Sequence, residues 1–98
     1  MSILDNISNY YEKLVLEELA QQAVQHAGDD EFLTDVACVA LNSLPARYYR
    51  HGVDMAFYLP SGEYLEMKSR VKLAVAEAIA RVEEDARTAS DSGAAEEG

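Results

Sequence analysis

Leu33, Val36, Ala37, Ala40, Leu41 and Leu44 fall at i, i+3, i+4, i+7, i+8 and i+11, the spacing that gathers apolar side chains on one face of a helix. Asp29, Asp30 and Glu31 come just before and supply a cap and early acids for the positive end of that helix. Pro45 disfavours helical geometry at the residue preceding it, so the helix is predicted to end at Leu44. Val71, Ala74, Val75, Ala78, Ile79 and Val82 repeat the spacing and define a later helix. It is predicted to start between Ser61 and Lys68 and to fray after Arg87.

Residues 5–27 also read as a helix, opened by Asp5 or Asn6 and closed near Gly28, but the apolar stripe changes side partway along. At 100° per residue Ile7, Tyr10, Tyr11 and Leu14 share one face, while Leu16, Leu19, Ala23 and Ala27 lie broadly opposite. A helix apolar on two sides must be covered on two sides. Two arrangements satisfy that: a second copy of the chain laid on the outer stripe, or a kink that turns both stripes into one core. The first is the physical argument for a homodimer.

Between the later two helices the pattern is weaker. Residues 54–59 (Asp-Met-Ala-Phe-Tyr-Leu) suit a short strand, and Pro60-Ser61-Gly62 a turn into either a second strand, Tyr64 to Met67, or the last helix, which is the favoured reading. The fold class is therefore mainly α: a small three-helix domain with a short extended or β segment between helices 2 and 3, homodimeric. Residues 1–87 form the domain. Residues 88–98, rich in Ala, Ser, Gly, Asp and Glu, read as a disordered acidic tail.

The chain has 98 residues, enough for one domain and close to the size where core burial is only modestly stabilising. Its net charge of −10 is unevenly spread. Residues 1–44 carry eight acids against one Lys, residues 45–72 five bases against three acids, and residues 83–98 six acids against one Arg. The net positive stretch begins at Pro45. So acidic a protein is a poor partner for duplex DNA, which needs many Lys and Arg contacts to phosphate. A small anion needs only a few cations.

Cys38 is the single cysteine, which excludes an intrachain disulfide and a cysteine-rich zinc site. The start of the chain lacks the basic and apolar regions of a signal peptide, and no apolar run is long enough to span a membrane. A cytoplasmic setting is expected. No Gly-rich phosphate loop, nucleophile elbow or His beside a candidate Ser or Cys points to catalysis, so the protein is expected not to be an enzyme.

Candidate chemistry gathers after the proline. Arg47 and Arg50 flank Tyr48 and Tyr49. A guanidinium can grip phosphate oxygens or the O6/N7 edge of guanine with two parallel hydrogen bonds, and a tyrosine ring can stack on a base. On the residues alone, the commoner use of such a grouping is a helix end whose tyrosines fill the core edge and whose arginines cover the last carbonyls. Asn42 is placed to read a base edge or to satisfy those carbonyls. Asp35 can accept from a guanine edge or stand as a solvated first-turn acid. Lys68, Arg70 and Lys72 alternate along a helix start and read as solvated surface.

The run Leu41-Asn42-Ser43-Leu44-Pro45-Ala46-Arg47-Tyr48-Tyr49, with Asp35-Val36 upstream, resembles the core motif of the late-competence ComFB family of small bacterial proteins. The resemblance extends over residues 6–82. It implies a non-enzymatic receptor for a cyclic dinucleotide, most often cyclic di-GMP, acting on motility, biofilm formation or competence. It implies contacts from Arg47, Tyr48, Arg50, Asn42 and Asp35, and leaves room for a downstream protein partner. Zinc-bearing relatives carry clustered cysteines before the Asp-Val element. Here that region reads His26-Ala27-Gly28-Asp29-Asp30, so zinc is not expected and no cofactor is implied. The alternative is a protein–protein adaptor that binds no nucleotide.

Overall fold

The computed structural model describes residues 2–52, 57 and 59–97, with side chains described as far as Ala89. A 3-10 turn (Ile3–Asn6) leads into strand β1 (Ile7–Asn9), helix α1 (Tyr10–Gln22) and a second 3-10 turn (Val24–His26). Helix α2 (Asp30–Asn42), strand β2 (Tyr48–Arg50) and helix α3 (Ser61–Glu97) follow. The described residues thus form a mainly helical domain with three α-helices and a two-stranded antiparallel sheet.

The later helices form where their spacing put them. Asp29 caps α2 by accepting from the Phe32 N–H, which satisfies one of the donors a helix start leaves unpaired. Gly28, at φ +90°, makes the turn into that cap. The helix closes at Asn42, two residues before the predicted end, because the Ser43 hydroxyl donates to the Ala40 carbonyl and ends the ladder before the proline acts. In α3, Val71, Ala74, Val75, Ala78 and Val82 are all buried. The helix continues to Glu97, through the segment whose composition suggested disorder.

The first element departs from the pattern. Helix α1 starts at Tyr10 instead of Asp5 or Asn6, because Ile7–Asn9 pairs with Tyr48–Arg50 in the register Ile7 with Arg50, Ser8 with Tyr49 and Asn9 with Tyr48. A strand partner some forty residues away outcompetes local helix propensity at these three positions. The extended segment between helices 2 and 3 is therefore β2. The strand suggested at residues 54–59 falls largely outside the described residues.

Tyr11, Val15, Val36, Val71 and Val75 are the largest fully buried side chains and join all three helices in one core. Each contributes about 1.5–3 kcal/mol of burial, by transfer energies for such side chains. His26 stacks on Phe32 with ring centroids 3.7 Å apart and pairs with Glu83 at 3.0 Å, pinning the start of α2 to α3.

The two stripes of α1 meet different fates. Tyr10, Tyr11, Leu14 and Val15 enter the core, and so do Leu19 and Ala23. The chain leaves the helix after Gln22, yet this break does not bury the whole outer stripe: Leu16 stays 64% exposed and Ala27 is exposed, as is the neighbouring Val24. The face of α2 also divides. Val36 and Ala40 are fully buried, while Leu33, Ala37 and Leu41 are half-buried and line an open apolar groove opposite Leu16. Cys38 is exposed in that groove.

Candidate functional site

Two backbone bonds and one side chain fix the cationic strand. The Tyr10 N–H donates to the Arg47 carbonyl at 2.7 Å, and the His51 N–H donates to the Asn6 carbonyl at 2.9 Å, so pairing extends past both ends of the ribbon. Asn9 Oδ1 accepts from the Tyr11 N–H, capping α1, and from the Arg47 N–H at 2.8 Å. One amide thereby sets both the start of a helix and the position of Arg47. Gly52, at φ +88°, takes the chain away beyond the strand.

The strand alternates as its period of two requires. Tyr49 points inward and meets Tyr10 edge-on, ring centroids 5.3 Å apart. Tyr48, 63% exposed, and Arg50, also exposed, share the outer face. His51 hydrogen-bonds Ser8 through Nε2 at 3.0 Å. An aromatic ring and a guanidinium on one solvent-facing side of a strand make a surface on which a base can stack beside a cation.

Arg47 reaches a cleft of about 460 Å³ lined by Tyr11, Pro45, Ala46, Arg47, Glu63, Glu66, Met67 and Arg70. Its guanidinium pairs with Glu63 at 3.2 Å, with both side chains around 40% exposed. Arg70 pairs with Glu66 one helical turn back on α3. The Tyr11 hydroxyl, by hydrogen bonding, and then the Glu66 carboxylate, by its charge, push the Arg70 pKa above its ordinary value.

The remaining candidates lie elsewhere. Asn42 is exposed and borders a second, smaller cleft of about 250 Å³ with Val39, Ser43, Glu77 and Arg81. Asp35 is exposed on α2 and lines neither cleft. Arg47, Tyr48 and Arg50 are therefore held on one strand and its entry, and Asn42 and Asp35 are not gathered with them. Lys68, Arg70 and Lys72 are all exposed, as read from their spacing, and Arg70 also borders the cleft that Arg47 reaches. The signal was present: Glu63, Glu66, Met67 and Arg70 stand at i, i+3, i+4 and i+7, one face of α3.

Among the described residues no three His, Cys, Asp or Glu side chains are grouped to hold a metal ion, and no helix is long and apolar enough to cross a membrane. Residues 8–86 match the family model of the late competence development protein ComFB. The chain belongs to the ComFB family. The match begins within β1, takes in α1, α2 and the Arg47–Arg50 segment and runs along α3 to Ala86, so the strand and cleft described above are parts of the ComFB domain. No curated protein and no solved structure matches the chain.

Proposed function

We propose that this ComFB domain is a non-enzymatic receptor for a cyclic dinucleotide, cyclic di-GMP first among them, acting as a cytoplasmic homodimer in control of motility, biofilm formation or competence. The observation that carries the reading is the outer face of β2, where Tyr48 and Arg50 stand exposed side by side with Arg47 at the strand entry. Tyr48 stacks on a base, and Arg50 and Arg47 take phosphate or a guanine edge. Asn42 and Asp35, on other faces, stay outside the proposal for one subunit. Isothermal titration of the full chain with cyclic di-GMP and cyclic di-AMP tests it. Saturable heat that falls at least about tenfold in affinity in Tyr48→Ala and in Arg50→Ala supports the site, since stacking and charged hydrogen bonds each carry that much. Silence with both ligands removes it.

The homodimer is supported by the apolar groove of about 770 Å³ between α1 and α2, with Leu16 and Val24 exposed at its edge. A small domain that leaves large aliphatic side chains in water gains from covering them. A cyclic dinucleotide has two-fold symmetry, and an isologous dimer presents its β2 surface twice. The same groove favours the rival reading, an adaptor that docks another protein there and binds no nucleotide. Silent titrations together with a monomer in sedimentation would favour that rival.

A further inference from the structure

The cleft beside β2 is lined by cations and carboxylates in equal number: Arg47 with Glu63, and Arg70 with Glu66. A bare phosphate entering it meets two negative groups along with two positive ones. That balance suits a ligand which is itself both acceptor and donor. Guanine is such a ligand. Its O6 and N7 accept from a guanidinium fork, and its N1–H and N2 amino group donate to a carboxylate on the adjoining edge. Adenine offers a lone pair at N1 and no amino group at C2, so a carboxylate placed for guanine repels it.

From this arrangement we infer that the Arg47–Glu63 pair is a guanine-reading site and that Glu63 is the residue that selects guanine over adenine. The inference rests on the receptor reading above, and deepens it by assigning base selection to a residue on α3. On binding, the ion pair opens to admit the base. The Arg47 fork turns to O6 and N7, and the Glu63 carboxylate accepts from N1–H and the amino group. Pro45 and Met67, which also line the cleft, supply apolar surface for the base faces. Arg70, which lines the same cleft and pairs with Glu66, supplies the cation for the phosphate of the same nucleotide. The cleft volume of about 460 Å³ is within the range of small-ligand sites.

The pairing makes a counter-intuitive prediction. If Glu63 only competed with ligand for Arg47, neutralising it would tighten binding. If Glu63 reads guanine, neutralising it weakens guanine binding and erases the preference. Titration calorimetry of the full chain, Glu63→Gln and Arg70→Ala with GMP, AMP, cyclic di-GMP and cyclic di-AMP separates these, with thermal melts confirming that each variant is folded. Wild type should prefer both guanine ligands. Glu63→Gln should lose about tenfold or more in guanine affinity, the scale for a lost charged hydrogen-bond pair, and bind guanine and adenine ligands equally. Arg70→Ala should weaken both bases alike and leave the preference in place.

Tighter binding by Glu63→Gln, or an unchanged ratio of guanine to adenine, overturns the base-reading role, even if cyclic di-GMP still binds through β2. GMP binding that depends on Glu63, with no response to cyclic dinucleotides, upholds the cleft and removes the receptor reading. Absence of binding to any guanine ligand sinks both.

Discussion

The groove between α1 and α2 and the cleft beside β2 are both open depressions on one small domain, yet they are built from opposite materials. The groove carries Leu16, Leu33, Ala37 and Leu41 and almost no charge. In the cleft two arginines and two glutamates stand over Tyr11 and Met67. Apolar surface gains free energy from any cover that excludes water, whatever its identity. Paired charges gain only from a partner that replaces their hydrogen bonds one for one. The groove is thus suited to holding something large without choosing finely, and the cleft to choosing a small ligand.

Substitutions on either side test this division. The largest effect is expected at Tyr11, 2% exposed, whose ring belongs to the core and whose hydroxyl belongs to the cleft. Tyr11→Ala should cost about 3–5 kcal/mol in chemical denaturation, as aromatic truncations in cores do. A loss under 1 kcal/mol would mean that the core and the cleft floor are independent. Next comes Leu16→Glu, which should abolish self-association in sedimentation while leaving the helical circular dichroism signal in place. A dimer that survives the charge is not built on the groove.

At the cleft, Arg47→Ala should abolish cyclic di-GMP binding in calorimetry and leave the circular dichroism spectrum unchanged. Its backbone bonds to Asn9 and Tyr10 do not require the side chain. Undiminished affinity would refute Arg47 as a contact. Asn9→Ala removes a cap and the Arg47 tether together, and should lower stability by about 1 kcal/mol. A greater loss of ligand affinity than of stability would show that the tether orients the cationic strand.

How far the fold could be read from sequence follows from how local its causes are. Helices α2 and α3 were legible because their apolar spacing, caps and stops lie within each segment. Strand β1 was not, since Ile7, Tyr10, Tyr11 and Leu14 keep helical spacing straight through it. Only the distant partner Tyr48–Arg50 decides the conformation of Ile7–Asn9. The division of the α2 face into a core half and a groove half was equally hidden, because it depends on where α1 lies.

The site shows the same limit. Arg47, Tyr48 and Arg50 stood out as a cationic and aromatic run, and the period of a strand then sorted Tyr48 and Arg50 from Tyr49. Arg70 and Glu63 did not stand out, as their role depends on α3 passing beneath the segment after Pro45. Asp35 and Asn42 lie on faces other than that of the Arg47–Arg50 segment, a separation that the sequence does not display.

The ribbon also gives the molecule a built-in reporter. Because the amide of Tyr10 is tied to the carbonyl of Arg47, and that of His51 to the carbonyl of Asn6, any event that tightens or loosens the cationic strand must be felt by protons at the beginning of the chain. Deuterium uptake at the Tyr10 amide, measured by mass spectrometry without a label or a mutation, should then report on occupancy of the proposed nucleotide surface.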